Sequence, residues 1–110
     1  MARNDLEVLQ GTLDVLVLKA LATESRHGYA VAQWIRKTTH DALQIEDGAL
    51  YTALHRMEKR GWLASEWGQS ENNRKAKYYK ITPAGRKHLK ARTKTWSKYA
   101  DAVSKILQSA

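Results

Sequence analysis

The stretch from Glu46 to Gly61 carries polar and basic side chains that could bind a polyanion, at a spacing that places them on one helix. Leu50, Leu54 and Met57 recur at the helical period and predict a buried stripe. The remaining surface is small, polar and basic, which suits contact with a polyanion, and about 15 helical residues can enter a DNA major groove. The predicted contact residues from this pattern are Gly48, Ala49, Thr52, His55, Arg56 and Lys59, with Tyr51 along one flank of the face.

Taken alone, this helix is equally consistent with an ordinary surface helix, because amphipathic helices commonly carry charged outer faces. We expect Asp47 to cap its N-terminus, with Glu46 as a weaker choice. Gly61 follows a charged last turn and is expected to end the helix. The small residues near its start would let the free N–H groups of the helix N-terminus approach a phosphate.

The sequence offers no pattern that predicts catalysis, a metal site or a cofactor site. It contains no cysteine, which excludes disulfides and thiolate ligands. It has no carboxylate pair at a useful spacing, no phosphate-binding glycine loop and no metal-ligand spacing. His27 and His40 lie near the ends of a predicted helix, where a histidine is more often a cap or a surface residue than a ligand. We therefore expect a protein that is not an enzyme.

The net charge of +8 is distributed unevenly along the 110 residues. Residues 1–55 carry five Lys and Arg against seven Asp and Glu, whereas residues 56–110 carry fourteen against four. This asymmetry indicates a polyanionic partner, with nucleic acid ahead of acidic lipid. No apolar run could span a bilayer and no signal-peptide pattern is present, so we expect a cytoplasmic protein without a membrane partner.

Two predicted helices precede the stretch from Glu46 to Gly61. The first extends from Leu6 to Ala22, and its broad apolar stripe indicates either core alone or core together with a contact to a second chain. The second runs from Gly28 to about Thr38, with an inward face made of Tyr29, Ala32 and Ile35. Two helices, a short link and a third helix with a polar outer face form the order of a helix-turn-helix.

The residues that follow predict a β-hairpin. Leu63–Trp67 and Lys77–Ile81 alternate as strands do, and residues 68–75 between them are rich in turn formers. A hairpin directly after a helix-turn-helix is a wing, and its cations would reach phosphates or a minor groove; these are Arg74, Lys75 and Lys77. The alternative is a solvated hairpin whose charges protect its edges. Helix, hairpin and charge asymmetry together favour double-stranded DNA as the partner.

The last predicted helix is capped by Thr82, begins at Pro83 and extends towards Ser109. Its apolar residues form a heptad-like seam that requires another helix, and little of the chain is left to supply one. A homodimer is therefore expected, with the interface residues Leu6, Leu9, Leu89, Trp96, Tyr99, Val103, Ile106 and Leu107. The predicted fold is mainly α with a small β-hairpin: a winged helix-turn-helix over residues 1–81 and a dimerisation helix over residues 82–110.

These motifs together resemble the PadR-type winged-helix transcriptional regulators over essentially the whole chain. The matching residues are Gly28-Tyr29, the run Gly48-Ala49-Leu50-Tyr51, the ending Arg56-Met57-Glu58 before Gly61, Trp67, and Tyr78-Tyr79 before Ile81-Thr82 and Gly85. The resemblance implies a homodimer joined through its first and last helices and a repressor of genes for efflux or for handling toxic compounds. It also implies that Tyr51 contacts the DNA backbone and that Thr52, Arg56 and Arg74 contact DNA.

The single C-terminal helix resembles a short subfamily, in which a lactococcal multidrug-sensing repressor has a run similar to Trp96-Ser97-Lys98. This suggests a site where aromatic side chains of two copies sandwich a planar ligand; the candidate residues are Trp96, Leu13, Val17 and Tyr99. The alternative is that Trp96 only packs the dimer seam. A repressor released by a small aromatic or drug-like ligand is the leading hypothesis. A winged-helix module for protein assembly without sequence-specific DNA binding is the second.

Overall fold

Four helices and one small antiparallel sheet make up residues 12–110, the part of the chain that this computed structural model describes. In chain order the elements are α1 (Thr12–Thr23), β1 (Arg26–His27), α2 (Gly28–Thr38), α3 (Asp47–Lys59), β2 (Leu63–Gln69), β3 (Lys75–Ile81) and α4 (Pro83–Gln108). The predicted class, mainly α with a small sheet, is confirmed. Leu6 and Leu9, together with the predicted start of the first helix, lie outside the described residues.

The core lies where α1, α2 and α3 meet the sheet. The buried stripe predicted on α3 is confirmed, because Leu50, Leu54 and Met57 have no exposed surface. Each large side chain buried in this way stabilises the fold by roughly 1.5–3 kcal/mol. The buried core residues are Val17, Leu18, Ala20, Leu21, Val31, Ile35, Leu50, Ala53, Leu54, Met57, Leu63, Tyr79 and Ile81.

Helix α2 has the predicted bounds but a different inward face. His27 caps it, since its Nδ1 accepts a hydrogen bond from the backbone N–H of Ala30 at 3.2 Å. The expectation that Tyr29 faces inward is wrong, because its side chain is 60% exposed while Val31 and Ile35 are buried. Val31 lies at the helical spacing i, i+4 from Ile35, whereas Tyr29 lies at i, i+6 and therefore about 120° away around the helix, so the helical period itself favours Val31.

The hairpin is longer than its sequence pattern predicts. Strand β2 pairs with β3 from Leu63 opposite Ile81 to Gln69 opposite Lys75, so the turn contains only residues 70–74. Asn73 adopts a left-handed φ of 60° there, which asparagine tolerates better than most residues. Strand β1, Arg26–His27, lies beside β3 as the third strand of the sheet. The sequence pattern did not predict it, because two residues cannot show an alternation.

Helix α4 begins as predicted. Thr82 Oγ1 accepts a hydrogen bond from the N–H of Gly85 at 3.0 Å, and Pro83 occupies the first turn. Its 26 residues extend about 39 Å. The first part packs on the body, where Leu89 contacts the core. Its own chain covers part of the Leu89 side chain, and the assignment of Leu89 to a dimer interface stays a prediction.

Candidate nucleic-acid interface

Helix α3 begins at Asp47, one residue earlier than expected if Asp47 were its N-cap. Its N-cap is Glu46, whose side chain makes no capping hydrogen bond, so the expectation that Asp47 caps the helix is wrong. The carbonyl of Glu46 already accepts the N–H of Leu50 at 3.0 Å, which places Asp47 inside the first turn. A carboxylate there still interacts favourably with the helix dipole. Gly61, with φ of 80°, ends the helix as predicted.

The outer surface of α3 carries most of the residues predicted to contact DNA. Tyr51 is 44% exposed, with its ring directed towards α2. The fully or largely exposed members of the set are Gly48, Ala49, Tyr51, Thr52, His55 and Lys59. No carboxylate of α3 interrupts this set between Gly48 and Lys59 except Glu58, which turns towards the hairpin. The surface is therefore small and polar over its first turns, and its cation Lys59 lies at the C-terminal end of the helix.

Arg56 is positioned differently from its predicted neighbours. Its guanidinium forms an ion pair with Asp14 of α1, and the Asp14 side chain is only 15% exposed. Arg56 lies on the flank of α3 nearest α1, where its side chain is still 40% exposed, and its predicted contact with DNA stays a prediction. Asp14 and Arg56 are 42 positions apart in the sequence, so no local pattern could have revealed the pair.

Glu58 joins α3 to both long strands. Its carboxylate accepts a hydrogen bond from Ser65 Oγ at 2.6 Å and lies 3.4 Å from Lys77 Nζ. The Ser65 hydrogen bond, opposed by partial burial and supported by Lys77, lowers the pKa of Glu58 below its ordinary value. The Lys77 ammonium thus has a partner in this carboxylate and lies 5.6 Å from the ring centre of Tyr79, while the side chain is 32% exposed; its contact with phosphates stays a prediction.

The tip of the hairpin presents the remaining predicted cations. Arg74 and Lys75 are exposed, and Lys75 Nζ lies 5.8 Å from the ring centre of Trp67. Trp67 itself is 63% exposed. The turn is closed by the N–H of Ser70, which donates to the carbonyl of Arg74 at 2.8 Å. The two cations are thus carried at the end of a hydrogen-bonded hairpin.

A cleft of about 880 Å³, which we call the wing cleft, lies between α2, α3 and the hairpin. It brings Tyr51 and His55 of α3 to the same concave surface as Arg74 and Lys75. Its charged lining residues are Arg26, Arg74, Lys75 and Lys77 against Glu24 and Glu71. Cations outnumber carboxylates on this surface, so it is suited to a polyanionic backbone.

The four candidate ligand residues do not form one site within the protomer. Val17 is fully buried in the core, so its assignment to a ligand site is wrong. Leu13 is half-buried against that core. Trp96 and Tyr99 are 47% and 63% exposed on the part of α4 that extends beyond the body.

A second cleft, which we call the apolar cleft, lies between α1, α2 and α4 and has a volume of about 720 Å³. Leu16, Trp34 and Leu89 are among its apolar lining residues. Its cations are Lys19, Lys90 and Lys94, and its lining contains no carboxylate. Three separate helices supply the walls, so the sequence pattern did not indicate this cleft.

Beyond the first part of α4, every residue from Thr93 to Ala110 is exposed except Ala100. This exposed part of the helix, residues 93–108, is called the distal part of α4. It carries large hydrophobic side chains on one stripe: Trp96, Tyr99, Val103, Ile106 and Leu107.

Among residues 12–110, no group of histidine and acidic side chains is arranged to hold a metal ion. None of the helices in this range combines the length and the apolar character needed to cross a membrane.

Comparison with known proteins gives the same family along most of the chain. Residues 17–91 match the family described as "Transcriptional regulator PadR-like family". The structure is similar to a transcriptional regulator from Clostridium thermocellum, with a TM-score of 0.83 and 31% identity over 92% of this chain and 95% of that one. It is also similar to a PadR family transcriptional regulator from Eggerthella lenta, with a TM-score of 0.77 and 34% identity over 92% and 86% of the two chains.

Proposed function

Because the chain belongs to the PadR-like family of transcriptional regulators, we propose that it is a homodimeric repressor that a small aromatic or drug-like ligand releases from DNA. The observation that carries the proposal is the wing cleft, which sets the polar outer surface of α3 beside the hairpin cations. A helix in the major groove with a wing on the adjacent backbone would use both parts of this surface.

In this proposal the first turns of α3 approach the bases, and the residues around them contact the backbone. Gly48 and Ala49 allow close approach, while Thr52, His55 and Lys59 supply polar groups. Tyr51 from the helix, and Arg74 and Lys75 from the hairpin, contact phosphates. Arg56 and Lys77 already have acidic partners, so we assign them to positioning α3 and the hairpin.

The homodimer is supported by the distal part of α4. Its stripe from Trp96 to Leu107 is too apolar to remain in water on a helix this long, and a second copy offers the same stripe. Leu6 and Leu9 remain proposed members of the interface. Dimerisation also has a purpose, because helix-turn-helix dimers contact two half-sites about 34–36 Å apart.

For the effector, we propose that Trp96 and Tyr99 of two copies enclose a planar aromatic compound. The apolar cleft is a second candidate, since it offers Trp34 and Leu89 within one protomer. The two sites can be distinguished by titrating a planar fluorescent dye into the Trp96→Phe and Trp34→Phe variants. We expect Trp96→Phe to weaken dye binding about tenfold and Trp34→Phe to leave it unchanged; the reverse result would assign the effector to the apolar cleft.

Fluorescence anisotropy with a duplex from the promoter of its own gene tests the repressor proposal. Because several phosphates are contacted, the logarithm of affinity should fall steeply with the logarithm of salt concentration. Lys75→Ala should reduce this slope by about 1 without changing sequence preference. The matched control is Lys105→Ala, which removes the same charge from the last turn of α4. Affinity weaker than about micromolar at low salt would reject the proposal.

The alternative function, a winged-helix module for protein assembly, uses the same basic surface for an acidic protein. It predicts weak binding to all duplexes and no preference for the promoter sequence. The exposed positions along α3 and the hairpin tip favour DNA, because they combine a rod-like helix with a separate cationic prong.

A further inference from the structure

Gly28, the first residue of α2, lies directly against the ring of Tyr51 from α3. A Cβ atom at position 28 would lie 2.7 Å from Tyr51 Cε1, 2.8 Å from its Oη and 2.9 Å from its Cζ. Packed carbon atoms prefer about 3.5–4.0 Å, so any side chain at this position would displace the ring. Gly28 is buried, whereas 44% of Tyr51 remains exposed. The missing side chain therefore creates a slot for the phenol.

The backbone at position 28 does not explain the glycine. Gly61 is the glycine with positive φ among the described residues, and Gly28 adopts a conformation open to other residues. Alanine is also the better helix former, so a helix that begins with glycine gives up intrinsic stability. The contacts of Gly28 therefore leave space for the Tyr51 ring as the structural reason for a glycine at this position.

The slot is attached to rigid parts of the molecule. His27 caps α2 through the Ala30 N–H, and β1 pairs His27 with Tyr78 of the hairpin. The His27 and Tyr78 rings also meet edge to face, with centres 5.3 Å apart. A ring held in this slot is therefore fixed relative to α2, α3 and the hairpin at once.

The ring end of Tyr51 lines the wing cleft together with Arg74 and Lys75. A phenol can donate a hydrogen bond to a phosphate oxygen, and holding it in place before binding reduces the entropy lost on binding. We infer that Gly28 is a positioning residue, which holds the Tyr51 hydroxyl in the orientation that meets the DNA backbone. The expected effect on DNA binding rests on the proposed function, whereas the position of the Tyr51 ring rests only on its contact with Gly28.

A double-mutant cycle tests the inference. Gly28→Ala should lower affinity for promoter DNA about tenfold, the size of one hydrogen bond to a charged group, because the ring must move. Its midpoint of urea unfolding should be unchanged or higher. In the Tyr51→Ala background, Gly28→Ala should cause no further loss. Unchanged affinity in Gly28→Ala, an equal loss in both backgrounds, or an unfolded Gly28→Ala protein would overturn the inference.

A measurement without DNA separates this inference from the proposed function. In protein with ¹³C-labelled tyrosine, Gly28→Ala should shift the ring signals of Tyr51 and leave those of Tyr99 in place. Gly48→Ala is the matched control, because a Cβ there meets only Glu46 Oε1 at 3.9 Å. Unchanged Tyr51 signals in Gly28→Ala would overturn the slot itself. If the wild-type protein bound no duplex, the proposed function would be rejected. The tyrosine spectra would then still show whether Gly28 positions the Tyr51 ring.

Discussion

Helices α3 and α4 are both amphipathic, but their apolar stripes have different surroundings. On α3, Leu50, Leu54 and Met57 are fully buried by the rest of the chain. On the distal part of α4, the same kind of stripe is exposed, with Ile106 at 73% and Leu107 at 77%. The outer surface of α3 is polar, with Lys59 near its end, whereas the outer surface of distal α4 is apolar along one side.

The difference indicates what kind of partner each helix requires. A helix with its apolar side already buried presents a solvated polar surface, which can exchange water and counterions for a polyanion. A helix with an exposed apolar stripe gains free energy only by covering it with another apolar surface. The apolar side of α3 is therefore covered within one protomer, while that of distal α4 is left to be covered by another apolar surface. Substitutions at matched positions test this difference.

The largest effect is expected from Val103→Asp. In the proposed dimer it would place a carboxylate in an apolar seam, at a penalty of several kcal/mol for each buried charge. Sedimentation should show a folded monomer with unchanged helical content. Ser97→Asp is the matched control, since it lies about 120° around α4 from Val103 and should remain dimeric. A dimeric Val103→Asp protein would remove the stripe from the interface.

Next in size is a leucine truncation on each helix. Leu54→Ala should lower the free energy of unfolding by about 2–5 kcal/mol, because it opens a cavity in a fully buried site. Leu107→Ala, measured in the monomeric Val103→Asp background, should change it by less than about 0.5 kcal/mol. Urea unfolding followed by circular dichroism gives both values. Similar losses at the two positions would contradict the contrast between the helices.

Arg56→Ala tests whether α3 is held in place by α1. Because Asp14 is partly buried, loss of either partner should reduce the free energy of unfolding by about 1 kcal/mol. The free energy of unfolding lost in the protein with both Asp14→Ala and Arg56→Ala should be smaller than the sum of the losses in the two single variants. For DNA, a positioning role predicts that Arg56→Ala weakens all duplexes alike. A loss confined to one base pair, of about 1–3 kcal/mol, would instead assign Arg56 to base recognition.

The smallest effect concerns pH and the contact between α3 and the hairpin. Folding lowers the pKa of Glu58, mainly through Ser65, so its carboxylate adds stability at pH values above its unfolded pKa near 4.5. That contribution, at most about 1 kcal/mol, should disappear as the pH falls through the folded-state pKa. Urea midpoints of wild type and Glu58→Gln should therefore differ at pH 7 and converge as the pH falls below the folded-state pKa of Glu58. A difference in urea midpoint that stays constant with pH would contradict the assignment of this stability to the Glu58 carboxylate. Glu66→Gln on β2 serves as the control.

Features encoded in neighbouring residues could be predicted well. The bounds of α2, the Thr82 cap, the Pro83 start and the Gly61 end depend on residues within one or two turns of each other. The candidate surface on α3 was also largely predicted, since Leu50, Leu54 and Met57 determine which side is buried. The strand β1 was not, because its two residues are ordered by β3, which lies far along the chain.

The helices, the hairpin, the basic C-terminal half and the family resemblance could be predicted from the residues alone, because composition, periodicity and capping are local properties. The partners of individual side chains follow from the packed fold. Packing paired Arg56 with Asp14 and Lys77 with Glu58, buried Val17 and set Gly28 against Tyr51. The physical reason is that ion pairs and steric slots depend on distances between atoms from separate segments, and those distances exist only after the core has packed.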